Sequence, residues 1–273
     1  MRQETLRVAG HFGELLQGRI GRDGPVALVT LPCSALGVTG QRFARSGLGI
    51  HGGGQRLLTP MRARALLALL GLRANGRVVL RAEMPAGGGA GVSTASLVAL
   101  ARLAGWQGLP DLLARACVAV EGASDPLMFQ RPETLLWASR IGETLHHLPT
   151  LPTFEVIGGF YGPPKRTNPA DSDFPDISDL VPLWTAAALA HDLPALAALV
   201  STSARRTLDR RGAGSDPIWS LAADLGALGS VIAHTGAARG LIFAPGAVPS
   251  EARARLQQAG LRGVVQFHAG GDR

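Results

Sequence analysis

The residues best suited to chemistry lie in Glu83-Met-Pro-Ala-Gly-Gly-Gly-Ala-Gly-Val-Ser-Thr-Ala95. Four glycines (87, 88, 89 and 91) fall within five positions, so backbone amides can approach a ligand closely. The run follows an expected strand and opens an expected helix. Free amides at a helix start, aided by the helix dipole, form an anion site. Phosphate binding over Pro85 to Ala95 is the chemistry this implies, with Ser93 and Thr94 offering hydroxyls where a phosphate or Mg²⁺ would lie. The same residues also suit a flexible turn with Ser93 as an N-cap.

Three further segments carry candidate groups. In Glu121-Gly-Ala-Ser-Asp125-Pro, Asp125 could accept a hydroxyl proton and Glu121 could help hold Mg²⁺, a hard cation that prefers oxygen ligands. A plain Ser-Asp-Pro turn, or a helix cap at Asp125, is the alternative. Gly10-His-Phe-Gly13-Glu14-Leu-Leu-Gln-Gly18 places Glu14 in a glycine-framed turn, where it could meet a substrate ammonium group. His234-Thr235-Gly-Ala-Ala-Arg239-Gly240 is a second framed turn, and Arg239 could meet a phosphate or a carboxylate.

These segments need a scaffold. Leu6 to Ala9, Val26 to Leu31, Val78 to Ala82, Phe154 to Ile157, Val231 to Ala233, Gly240 to Phe243 and Val264 to Phe267 read as strands. Met61 to Leu72, Ser93 to Ala104, Leu109 to Glu121, Leu180 to His191, Leu193 to Ser201 or beyond, Pro217 to Leu228 and Ser250 to Ala259 read as helices. Gly158 to Asp176 reads as an irregular loop. The proline- and leucine-rich stretch Leu148 to Pro152 marks a boundary, giving halves 1–150 and 151–273. Mixed strands and helices in both halves predict an α+β fold.

Composition narrows the function. The 273 residues carry a formal charge of +7, and Lys165 is the single lysine. A Walker A loop, which needs lysine after its glycines, is therefore excluded. The arginines are scattered and seldom interleaved with aromatics, which argues against nucleic acid as the partner. No apolar run is long enough to span a bilayer and no signal core opens the chain, so a cytoplasmic protein is expected. Cys33 and Cys117 lack metal-ligand or redox-pair spacing and read as reduced, buried thiols.

In combination and order, these segments resemble the GHMP kinases. Pro85-x-x-x-Gly89-x-Gly91-x-Ser93-Thr94-Ala95 is similar to that family's phosphate loop, and Ala-Ser-Asp125-Pro to the catalytic aspartate motif of some members. Gly13-Glu-Leu-Leu-Gln-Gly18, Leu28 to Pro32, Glu121 to Asp125, Ala233-His-Thr-Gly236 and Gly240 to Phe243 resemble the L-threonine kinases of cobalamin biosynthesis. Val92, Gly88 and Phe12 stand where serine, lysine and cysteine are common in these families.

The resemblance implies an N-terminal ribosomal-S5-like domain and a C-terminal ferredoxin-like domain with the active site between them. It implies ATP and L-threonine as substrates, Mg²⁺ on Ser93 and Glu121, and Asp125 as the catalytic group. Phosphates would lie on Pro85, Gly87, Gly88, Gly89, Gly91, Ser93 and Thr94. Gly13, Glu14, His234, Thr235 and Arg239 would face the acceptor or its phosphate. A homodimer is compatible with this reading. A kinase for homoserine or an isoprenoid precursor, and a non-catalytic nucleotide- or nucleic-acid-binding module, are the rival readings.

Overall fold

The computed structural model describes residues 4–73, 75–211 and 216–271. The chain begins with two long strands, β1 (Glu4–Arg19) and β2 (Val26–Phe43), followed by β3 (Leu48–His51), α1 (Pro60–Leu69), β4 (Gly76–Ala82), α2 (Val92–Leu103) and α3 (Pro110–Glu121). A short 3₁₀ turn (Pro132–Thr134) leads into the hairpin β5 (Leu135–Ala138) and β6 (Glu143–His147). The remainder is β7 (Phe154–Phe160), α4 (Leu180–Leu189), α5 (Leu193–Arg210), α6 (Ile218–Asp224), β8 (Gly229–Ile232), β9 (Ala238–Phe243), α7 (Ala252–Gln258) and β10 (Arg262–Ala269). The expected α+β fold is present.

Most expected elements appear, with shifted ends. The largest difference lies in β1, where the glycine-framed turn expected over Gly10 to Gly18 is strand instead. Glycines there do not break the strand; they let it bulge. Its register against β2 slips between Ala9 and Gly10, between His11 and Glu14, and between Glu14 and Leu16. Such bulges re-aim side chains next to functional sites. Gly13 takes φ +74°, and a Cβ there would come within 2.6 Å of the Ile232 carbonyl oxygen. The strands β3, β5 and β6, four or five residues long, have no counterpart among the expected elements.

One sheet runs through the described residues in the order β10-β7-β9-β8-β1-β2-β4-β3, with β5 and β6 attached to β2. Pairing is antiparallel except between β3 and β4. The join between the chain's early and late strands is the bridge Glu14–Ile232 from β1 to β8. Phe12, fully buried, strengthens that join. Its ring meets Phe160 of β7 at 5.8 Å and Phe267 of β10 at 5.7 Å, both edge-on. Helix α2, almost wholly buried, packs on β1 and β2, and α5 on β8 and β1. Cys33 and Cys117 are free and buried; burial pushes the Cys33 thiol up to about 11. No helix among the described residues is long and apolar enough to cross a membrane.

Candidate active site

The phosphate-loop candidate connects β4 to α2. Gly87, Gly89 and Gly91 all adopt left-handed φ, between 72° and 81°. Gly89 and Gly91 have no room for a side chain. A Cβ on Gly89 would come within 2.3 Å of the Ala233 Cβ, and one on Gly91 within 2.5 Å of His11 Cδ2. Four of the loop's carbonyls, Gly87 to Ala90, are engaged from outside. Gly87 accepts from the Lys165 amide, Gly88 from Ala237 and Ala238, Gly89 from Gly13, and Ala90 from His11. The amides of Gly89 through Thr94 have no acceptor among the described residues. Carbonyls turned outward and amides left open make a nest for an anion at a helix start.

Gly91, with φ 72°, is the N-cap of α2, so Ser93 is not the cap. Ser93 donates its hydroxyl to Glu121 Oε1 at 2.5 Å, and Arg62 Nη1 lies 3.2 Å from the same oxygen. Burial raises the Glu121 carboxyl above the usual range, against the opposing pull of Ser93 and Arg62. A hydroxyl and a carboxylate in contact, both facing the cavity, are a donor set that fits a hard divalent cation.

Asp125 does not cap a helix. Its backbone amide donates to Thr94 Oγ1 at 3.1 Å, and Thr94 Oγ1 donates to Asp125 Oδ2 at 3.3 Å when its proton points that way. The segment before it is pinned from β5: Trp137 Nε1 donates to the Ser124 carbonyl at 2.7 Å, and the Ser124 amide donates to the Ser139 carbonyl. The closest ionic neighbour of Asp125 is His11, with Nε2 3.4 Å from Oδ2. On its other side His11 Nδ1 stands 3.6 Å from Glu14 Oε1, which is also 3.6 Å from His234 Nδ1.

These groups determine each other's charge. Burial opposes a proton on His11, but Asp125 and Glu14 outweigh it and raise the imidazole from 6.5 to about 9. Burial would raise Asp125 as well, yet the His11 charge and hydrogen bond, the nearby His234 ring and the Thr94 hydroxyl bring it below the normal carboxyl range. His11, Glu14 and Asp125 present ligand atoms within 4.8 Å of one another. An imidazolium has no lone pair for a metal, so the charged His11 itself occupies the cation's place between the two carboxylates.

A cavity of about 220 Å³ collects these groups. Of the candidates named from the sequence, Gly87, Gly89, Gly91, Ser93, Thr94, Glu121, Asp125, His234 and Thr235 line it. The others stand apart. Pro85 and Gly88 are not on the wall; the Gly88 amide bonds back to the Pro85 carbonyl. Gly13 shapes the β1 bulge. Glu14 is fully buried behind His11 and His234 and cannot meet a substrate ammonium. Arg239 is spent elsewhere: buried beside β7, its guanidinium pairs with Asp216 at 2.7 Å and donates to the Ala238 carbonyl. A guanidinium that deep must be paired within the protein.

The wall also holds residues that sequence reading passes over: His11, Arg56, Arg62, Arg140, Lys165 and Arg166. His11 lies inside the Gly10–Gly18 motif, so a signal existed. Lys165 stands out as the single lysine, but no local pattern ties residue 165 to a loop far earlier in the chain.

No family model matches the chain, and no curated protein matches it. Solved structures do. Mevalonate kinase from methicillin-resistant Staphylococcus aureus superposes with a TM-score of 0.60 at 16% identity, over 99% of this chain and 100% of that one. Homoserine kinase from Cytophaga hutchinsonii gives 0.59 at 17% identity, over 97% and 94%. A 4-(cytidine 5'-diphospho)-2C-methyl-D-erythritol kinase gives 0.62 at 22% identity, over 98% and 100%. The chain therefore has the α+β fold of the GHMP kinases along nearly its whole length.

Proposed function

We propose, from this shared fold, that the chain is an ATP-dependent phosphotransferase of the GHMP type. It moves the γ-phosphate onto an amino-acid hydroxyl, that of L-threonine, giving L-threonine O-3-phosphate for cobalamin synthesis in the cytoplasm. The observation that carries this reading is convergence. Open amides at Gly89–Thr94, the Ser93–Glu121 pair and the Asp125 carboxylate all face one cavity.

The β- and γ-phosphates would lie on the open amides. Lys165, Arg56 and Arg166 line the same cavity and add positive charge. They stand in for the lysine that the loop lacks at Gly88. Ser93 and Glu121 would hold Mg²⁺, which when bound neutralises phosphate oxygens. Asp125 orients the acceptor hydroxyl. As that oxygen bonds to the γ-phosphorus and the bond to ADP breaks, the hydroxyl proton passes to the Asp125 carboxylate. A depressed carboxyl is a weak base, which suits a loose transition state in which the proton leaves late. His11 is a positioning residue: its charge keeps Asp125 ionised and its ring fixes the carboxylate. Catalysis rests on placement and charge neutralisation.

A division near residue 150, into a nucleotide-binding domain over 1–150 and a second domain over 151–273, belongs to the same proposal. It is supported by the cavity drawing its phosphate loop, Glu121 and Asp125 from the first and Lys165, Arg166, His234 and Thr235 from the second.

The test is coupled ADP release with L-threonine, L-serine, L-homoserine, mevalonate and a cytidylyl-linked polyol, with products identified by ³¹P NMR. Highest kcat/KM with L-threonine is expected. Preference for an alcohol that is not an amino acid would overturn the acceptor assignment. ATP binding without release on any acceptor would overturn phosphotransfer.

A further inference from the structure

Arg140 follows β5 in the turn to β6 and lines the cavity together with Ser139 and Asp125. The buried guanidinium of Arg239 is consumed by a partner. Arg140 is not. Its Nη2 reaches one carbonyl, that of Asn168, at 3.4 Å. Its Nε is closed to solvent and has no hydrogen-bond partner among the described residues. The Phe174 ring, 6.0 Å away, gives it a face to rest on and no acceptor.

The acidic groups around Arg140 are Asp125 and Asp171, with Arg211 as the nearby cation. Asp171 is held by Arg211 at 2.8 Å, and Asp125 by His11 and Thr94. Burial weighs against the Arg140 charge more than these neighbours support it. A half-buried guanidinium with idle donors, next to the group that orients the acceptor, calls for an anion from outside the protein. Its fork of N–H groups matches a carboxylate bidentately. The phosphate end already has Lys165, Arg56 and Arg166, so the anion missing here is not the nucleotide's.

Taking the phosphotransfer reading above as premise, we propose that Arg140 anchors a carboxylate of the acceptor. The substrate class is then hydroxy carboxylates, amino acids among them, and excludes neutral polyols.

The experiment compares L-threonine with L-threoninamide, in which the carboxylate is a neutral amide, on the intact enzyme and on Arg140→Gln. Charge-assisted hydrogen bonds of this kind are worth about 10- to 100-fold. The intact enzyme should prefer L-threonine in kcat/KM by that margin, and the preference should collapse to within a few fold in Arg140→Gln. Arg140→Lys should fall between. Equal use of both acceptors by the intact enzyme, or an undiminished preference in Arg140→Gln, would overturn the assignment. So would a variant whose only change is a higher KM for ATP. Calorimetry of L-threonine binding, with Mg²⁺ and a non-hydrolysable ATP analogue present, separates the two readings. Arg140-dependent binding without ADP release upholds the anchor and removes phosphotransfer. Release on polyols in preference to hydroxy acids removes the anchor and upholds phosphotransfer. Neither binding nor release removes both.

Discussion

A charged His11 held between Asp125 and Glu14 should make this protein's stability fall on the alkaline side in a way a single substitution can isolate. The imidazole moves from 6.5 to about 9 on folding. At about 1.4 kcal/mol for each pH unit, that rise corresponds to about 3 kcal/mol in favour of the folded, protonated form. The folded pKa is the higher one. The contribution is therefore complete below pH 6.5 and is lost as pH rises through 9. His11→Gln removes it and leaves the buried Glu14 and the partly buried Asp125 without the cation between them. Urea unfolding of the intact protein and the variant, from pH 6 to pH 10, should give a difference of about 3 kcal/mol at the acid end. The difference should shrink as His11 deprotonates, while groups remote from His11 cancel. NMR titration of the His11 ring gives the pKa directly. A difference that does not change with pH, or a ring that titrates near 6.5, would refute a permanent imidazolium at the site. If His11→Gln fails to fold, His11→Lys keeps a cation there and should restore the acid-side stability while removing the loss near pH 9.

Asp125→Asn should lower kcat by at least about 10²-fold, the usual weight of a positioned proton acceptor, with ATP binding retained by calorimetry; near-normal turnover would remove Asp125 from the mechanism. Phe12→Ala should cost about 3–5 kcal/mol in urea unfolding, because it opens a cavity where three strands meet edge-on aromatic rings. Gly89→Ala should weaken ATP binding and lower stability together. It puts a side chain at left-handed φ, worth about 1–2 kcal/mol, and into the Thr235 carbonyl 2.5 Å away; unchanged affinity would show that the loop does not hold the phosphates.

The glycine loop opening α2 was legible in the sequence because its signal is local: glycines before a helix need only neighbours in the chain. The order of elements was equally legible, since apolar periodicity reports on helices such as α2 and on strands such as β7. Glu14 was misplaced because a glycine-framed stretch looks the same whether it turns or bulges; only the pairing of β1 with β2 and β8 decides. The short strands β5 and β6 carry too few residues for a period to emerge. Arg239 is taken up elsewhere than expected for a related reason. Which guanidinium is neutralised depends on where Asp216 comes to rest, and nothing near residue 239 in the chain announces it.

The bridge between Glu14 and Ile232 constrains how the early and late parts of the chain can move. Two lobes joined by a linker could swing apart, but here the early and late strands are stitched into one sheet and pegged by Phe12. Hinging them open would tear the sheet beside the buried Glu14 and pull apart the charges around His11. The exposed segment from Gly162 to Ala170 brings Lys165, Arg166, Thr167 and Pro169 to the cavity wall, and the Lys165 amide donates to the Gly87 carbonyl of the glycine loop. The chain's single lysine therefore reaches the cavity wall from an exposed segment outside the paired strands, while the groups around His11 sit where the sheet is stitched together.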